Sequence, residues 1–241
     1  MGKKSIDIQF INSQKDNFLQ YLCESIDIEA KFFLDEISKI SEIYVFSGVI
    51  RNYFINHKGK IRDLDIVFKT SNIHELSLLL DNYSFKINSF GGYKIEIGSL
   101  NIDFWDIDKT WGLNNSNLYL DLDKQYFLPE TSFFNFSSVI FDYQKRDFIV
   151  SKEFVKFLKK RELDYVLEDN PLPILCLVNI LFYSIKYNLT ISKRLKKYFI
   201  KNFNKYSESD FNNIQLKHFK EIIYSYEVLR AYNYIFKNKL Q

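Results

Sequence analysis

The chain has 241 residues, and its 33 Lys and Arg against 30 Asp and Glu leave a formal charge of only +3. That surplus is too small for overall charge to name a nucleic-acid or membrane-surface partner. Hydrophobic residues at 46% and aromatic residues at 18% exclude a disordered chain, while three Pro and seven Gly leave no stretch that reads as a long flexible linker. The length suits one large domain or two small ones. The excess of Phe and Tyr, beside many Lys, Asn and Ile, is explained by an AT-rich genome before a special aromatic surface is needed. Cys23 and Cys176 lie far apart without C-x-x-C spacing, so each reads as a buried free thiol in a reducing compartment. The start MGKKSIDIQF has no apolar signal core, and no run is long enough to span a membrane. The expectation is a cytoplasmic protein without membrane contact.

After a short extended start, residues 12–40 read as helical, with Phe18, Leu22, Phe32, Phe33, Ile37 and Ile40 spaced along one apolar side. A strand at Glu42–Phe46 leads into a Ser47-Gly48 turn and a short helix bearing Arg51. The loop His57-Lys58-Gly59-Lys60 precedes a second strand, RDLDIVF. Strand side chains alternate between faces, so Asp63 and Asp65 project together while Leu64 and Ile66 point into a core. Two carboxylates on one face repel unless a cation lies between them. A hard divalent ion such as Mg²⁺, held by carboxylates and substrate phosphates, is the usual solution. A small-residue turn opening a helix beside that pair supplies backbone N–H groups for a triphosphate.

Residues 72–82 read as a helix capped by Asn72 and Glu75. Short alternating segments follow, SFKINSF and GGYKIEIGSLNIDFWDI, with Gly91-Gly92 and Gly98-Ser99 marking turns. No helical segment follows Gly91-Gly92, which argues against a phosphate loop. NIDFWDI carries a third acidic candidate. Asp103 and Asp106 fall on opposite strand faces, and Asp103, flanked by Ile102 and Phe104 as Asp65 is by Leu64 and Ile66, is the choice. Residues 115–145 hold further strand-like pieces, among them NLYLDLD with a weaker Asp121/Asp123 pair. From about residue 146 the pattern turns helical, and LKHFKEIIYSYEVLRAYNYIFKNKL, with Phe219, Ile222, Ile223 and Tyr226 at helical spacing, reads as the last bundle helix.

SGVIRN…RDLDIVF resembles the GGxVRD…DxDI signature of class II tRNA nucleotidyltransferases and bacterial poly(A) polymerases, of the DNA polymerase β-like superfamily. Gly48, Arg51, Asp63 and Asp65 match, whereas Ser47 stands for a Gly and Asn52 for an Asp. LEDNPLPILCLVNILF resembles the family's E-D-P-x-R-I-L-R-x-x-R-F helix through Glu168, Asp169, Pro171, Ile174 and Leu175, with Pro173, Cys176 and Asn179 where arginines are usual. TSFFNFSSV aligns loosely through Asn135 with the R-R-D-F-x-x-N-A block but lacks its Arg-Arg-Asp. The likeness covers about residues 42–191.

The resemblance implies an α+β fold, a small mixed-sheet nucleotidyltransferase head over residues 1–145 followed by a helical neck over 146–241. It implies transfer of a nucleoside monophosphate from an NTP to a hydroxyl. Asp63, Asp65 and Asp103 would be the catalytic carboxylates of a two-ion Mg²⁺ site, with Ser47, Gly48 and Arg51 binding nucleotide. RNA is the expected acceptor, met by Lys193, Arg194, Lys196, Lys197 and Lys201, whose clustered cations gain by releasing counterions. Interleaved Tyr198, Phe199 and Phe203 either stack on bases or pack as core. The short chain and the missing arginines turn the expectation from CCA addition toward modification of another RNA, a protein or a small molecule, by analogy as a toxin or defence factor. The alternative is a non-catalytic module of this fold that binds nucleotide, RNA or a protein partner.

Overall fold

The structure, a computed structural model, describes residues 6–46, 48–57, 59–88, 90–115 and 123–240. The chain forms two compact units. The first comprises residues 1–132 and 136–159, the second residues 133–135 and 160–241.

The first unit begins with three helices, α1 (Ile8–Asn12), α2 (Lys15–Ser25) and α3 (Ile28–Ile40). The expected extended start is therefore helical from Ile8, because Asp7 caps it by accepting from the Phe10 N–H at 2.8 Å. Ile26 and Asp27 are extended and part α2 from α3. Asp27 spends its carboxylate on another loop, accepting from the Ser99 N–H and hydroxyl at 3.2 and 3.1 Å. Phe33, Leu34 and Ile37 are buried, but Phe32, expected beside them, is exposed at 59%. One residue of helix turns a side chain by about 100°, enough to carry Phe32 off the buried stripe.

Next come β1 (Glu42–Phe46), α4 (Gly48–Phe54), β2 (Asp63–Lys69) and α5 (Ile73–Leu80). The Asn72 side chain accepts from the Glu75 N–H at 3.2 Å, the expected cap of α5. Strands β3 (Phe85–Ile87), β4 (Tyr93–Ile97) and β5 (Leu100–Asp106) follow, with positive φ at Gly91 and Gly98 in the two turns. Trp111 opens a short helix, α6 (Trp111–Asn115). Of the expected strand pieces beyond it, residues 116–122, including Asp121, lie outside the described residues, and Lys124–Thr131 is a 3₁₀ helix.

The unit closes with β6 (Val139–Asp142), β7 (Asp147–Val150) and α7 (Lys152–Lys160). Residues 147–150, expected to begin the helical part, are thus the second strand of a hairpin. Arg146 turns the chain at φ 50, and Asp142 accepts from the Lys145 N–H at 2.9 Å. Phe148 then packs edge-on against Phe141 at 5.0 Å, which outweighs local helix propensity. The sheet order is β3-β4-β5-β2-β1-β6-β7, with β2 and β5 parallel and every other pairing antiparallel. This is the mixed sheet of an α+β protein. On one face Leu64, Ile66, Phe68, Ile102 and Phe104 are buried, with Phe104 meeting Phe33 of α3 at 6.0 Å. On the other, Tyr44, Val67, Leu113, Leu128 and Ile140 form a core cluster flanked by Phe46 and Trp105.

The second unit contains β8 (Glu162–Leu163), α8 (Pro173–Lys186), β9 (Thr190–Ile191), α9 (Lys193–Phe203), α10 (Glu208–Phe219) and α11 (Tyr226–Asn238). Helix α8 packs on α9 and α10, and α9 on α11. Ile222 and Ile223 lie in the break between α10 and α11, not in a helix. Lys220, left-handed at φ 68, ends α10, and the Ser225 hydroxyl caps α11. Among the described residues no helix is long and apolar enough to cross a membrane.

Candidate active site

The carboxylates are organised by strand register. Parallel pairing of β2 with β5 sets Asp63 opposite Asn101, Leu64 opposite Ile102 and Asp65 opposite Asp103. Antiparallel pairing of β4 with β5 sets Lys94 opposite Asp103, and that of β1 with β2 sets Phe46 opposite Asp65. Directly opposed residues share a face. A row therefore runs Lys94, Asp103, Asp65, Phe46 across four adjacent strands. The β-period buries Leu64 and Ile66 on the reverse face, as the sequence predicts, and leaves Asp65 and Asp103 half-buried on the other, beside Phe46 and Trp105.

Bringing two carboxyls together on half-buried positions is costly, and Asp65 registers it. Burial, then the charges of Asp103 and Asp63, push its carboxyl up to about 7, against the smaller opposing pull of Arg51 and Lys94. Asp103 Oδ1 is shut off from solvent without a hydrogen-bond partner, and Lys94 Nζ lies 3.4 Å from it. Asp63, at the exposed start of β2, is instead tied sideways, accepting from Asn101 Nδ2 at 3.3 Å. Among the described residues no three His, Cys, Asp or Glu side chains converge as a ready cage for a metal ion. The expected three-carboxylate cage is thus not closed: Asp65 and Asp103 are brought together, and Asn101 engages the third. The donor chemistry still fits Mg²⁺. Hard oxygen donors are what that ion takes, and a raised Asp65 beside an unbonded Asp103 oxygen are the groups a cation would stabilise.

Asp106 caps the turn after β5 by accepting from the Asp108 N–H at 2.8 Å, and faces away from Asp103. Trp105 shares the Asp103 face. Its Nε1 donates to Thr110 Oγ1 at 3.1 Å and its ring meets Phe46 at 6.0 Å, so it both walls the acidic row and joins the core. Gly48 opens α4, and a Cβ built there would meet only Arg51 Nη2, at 3.9 Å. Protein packing therefore does not require a glycine, whereas close approach of a ligand would. Arg51 lies over the Phe136 ring at 4.7 Å and donates through Nε to Asn52 Oδ1 at 3.2 Å, with its charge favouring ionised Asp65. Ser47 lies outside the described residues.

In the second unit, the positions where the resemblance expects arginines hold none. Cys176 is buried, which pushes its thiol up to about 12, and Asn179 Oδ1 is buried without a hydrogen-bond partner. Glu168 accepts from the Tyr165 hydroxyl at 3.1 Å and from Lys201 Nζ at 2.8 Å. Arg194 lies over the Tyr165 ring at 4.1 Å and 3.5 Å from Asp164. Of the basic set, Arg194 and Lys201 are thus paired, and Lys193 and Lys197 point to solvent. Tyr198, Phe199 and Phe203 are buried, so they are core, not stacking surfaces. Asn135, the residue that aligns with the R-R-D-F-x-x-N-A block, makes structural hydrogen bonds: Nδ2 donates to the Glu162 carbonyl at 2.9 Å and Oδ1 accepts from the Asp164 N–H at 3.1 Å.

Lys94 and Asn101 escaped the sequence reading. The signal was present, since a two-residue turn at Gly98-Ser99 pairs Ile97 with Leu100 and hence Lys94 with Asp103.

Solved structures share this fold. A CCA-adding enzyme in complex with CTP superposes with a TM-score of 0.62 at 14% identity, over 92% of this chain and 55% of that one. The Thermotoga maritima CCA-adding enzyme complexed with tRNA gives 0.59 at 16% identity, over 91% and 54%. A tRNA nucleotidyltransferase complexed with a primer tRNA and an incoming ATP analogue gives 0.53 at 16% identity, over 81% and 64%. The chain spans 54% to 64% of the length of these proteins. No protein-family model and no curated protein sequence matches it.

Proposed function

We propose that this protein is a metal-dependent nucleotidyltransferase that moves a nucleoside monophosphate from a nucleoside triphosphate to a hydroxyl of an RNA, tRNA-like in kind. The observation that carries this reading is the register-locked Asp65–Asp103 pair, with the Asp65 carboxyl raised and an Asp103 oxygen accepting no hydrogen bond, in a chain with the fold of CCA-adding enzymes. The first unit acts as the head and the second as the neck.

In the reaction the acceptor oxygen attacks the α-phosphorus in line, the bond to the bridging oxygen breaks, and pyrophosphate leaves. Asp65 and Asp103, joined by Asp63 once it leaves Asn101, would hold Mg²⁺, which when bound supplies charge neutralisation of the triphosphate and a more acidic attacking hydroxyl. The Arg51 guanidinium is within electrostatic reach of Asp65 and offers a fork of donors to a phosphate. The turn at Gly48 leaves room for the triphosphate against backbone. Trp105 and Phe46 give the site a dry wall, which strengthens these interactions.

A transfer assay tests this. The full chain is incubated with Mg²⁺ and each labelled nucleoside triphosphate in turn, with tRNA, total RNA and cell protein as acceptors. Incorporation into RNA is expected, and Asp65→Ala should reduce it by about a thousandfold or more. Equal incorporation by wild type and variant would sink the assignment. The second reading, a binding module without catalysis, draws on the buried Cys176 and the buried Oδ1 of Asn179 at positions where the resemblance expects arginines. It predicts nucleotide binding with no transfer to any acceptor.

A further inference from the structure

The acidic row ends on a cation, and that cation belongs to the chain. Lys94 stands opposite Asp103 in the β4–β5 ladder, its Nζ 3.4 Å from Asp103 Oδ1. An exposed cross-strand ion pair ordinarily contributes little to stability and needs no function. This pair differs on one point. The carboxylate oxygen it serves is sealed from solvent and accepts no hydrogen bond, so the ammonium is the one compensating charge recorded beside it among the described residues. The lysine end of the pair is open, with 60% of its side chain exposed against 40% for Asp103. A long flexible stem with a solvated head can swing away from such a position at little cost.

We propose that Lys94 competes with the divalent cation for Asp103: its ammonium holds this carboxylate, and the ion gains that ligand only as Lys94 moves off. This rests on the carboxylate reading above and adds to it a positioning residue that tunes metal affinity. The arrangement compensates the buried oxygen whether or not the site is loaded. It also makes the swing of one side chain part of metal capture. Arg51 of α4, the other cation near the pair, lies over the Phe136 ring, and its charge acts on Asp65.

The test is direct Mn²⁺ binding to the full chain, followed by the loss of the free-ion signal in electron paramagnetic resonance. Lys94→Gln, and Lys94→Met as a second neutral variant, should tighten binding by about threefold to tenfold, the scale expected when one positive charge leaves a partly solvated dication site. Lys94→Arg, which keeps the charge, should stay within about twofold of wild type. Circular dichroism of each variant checks the fold. Asp65→Ala distinguishes the two levels of the argument. If it abolishes binding while the neutral Lys94 variants bind as wild type or more weakly, the competition is refuted and the carboxylate site stands. If Asp65→Ala binds as wild type does, or if neither wild type nor the neutral variants bind at all, the carboxylate reading itself falls and takes this inference with it. A wild type that binds too weakly to measure beside a Lys94→Gln that binds supports the inference in its strongest form.

Discussion

The two units differ in what their acids face. In the second, Asp164 and Glu168 are met by Arg194 and Lys201, Lys193 and Lys197 face solvent, and the aromatic residues between the lysines are core. In the first, Asp65 and Asp103 are driven together by strand pairing, with one carboxyl raised and one oxygen unbonded. A fold optimised only for stability would not place them so, because buried polar atoms are normally satisfied. The contrast teaches where to look: strand register sets like charges side by side in the first unit, whereas in the second the acids before α8 are met by cations of α9.

The largest effect that sharpens this comparison is on the core of the second unit. Phe203 stacks on Phe199, Phe211 and Tyr226 at 5.7, 5.4 and 5.6 Å, so Phe203→Ala should cost about 3 to 5 kcal/mol in denaturant unfolding. A variant of unchanged stability that binds RNA less well would make Phe203 a stacking surface after all. Next comes Asp65→Asn. A carboxyl raised in the folded state binds its proton more tightly there than when unfolded, so its contribution to stability is fully present below the unfolded value near 3.8 and is lost as pH rises through about 7. Removing the charge should therefore stabilise the metal-free chain by about 1 to 2 kcal/mol at pH 8, after allowance for screening, with the gain vanishing at about pH 4. Equal stability of variant and wild type across that range would mean the acidic row bears no cost. The smallest effect lies on α9. Lys193→Glu with Lys197→Glu should weaken RNA binding several-fold at low salt and lower the salt dependence of binding by about two contacts. Unchanged binding and salt slope would remove α9 from the RNA path.

Several parts of this were legible in the chain itself. Alternation in RDLDIVF fixed which residues turn inward, as buried Leu64 and Ile66 attest, because the strand period is two whatever the neighbours do. The Asn72 cap likewise depends on residues within one turn. Local signals misled where distant contacts decided. Residues 147–150 became a strand because Phe148 found Phe141, and Asp27 broke the first helical run by reaching Ser99.

Spacing in the sequence determined that two carboxylates share a face and that an acid in NIDFWDI lies on a strand of similar pattern. Only the tertiary structure decided that β5 runs parallel to β2 in the register that sets Asp103 against Asp65, that Asn101 draws Asp63 aside, and that Lys94 closes the row. The reason is physical. Periodicity is a property of one segment's backbone, whereas register between strands is chosen by the whole set of buried side chains, since a slip of one residue would turn Ile102 and Phe104 out of the core.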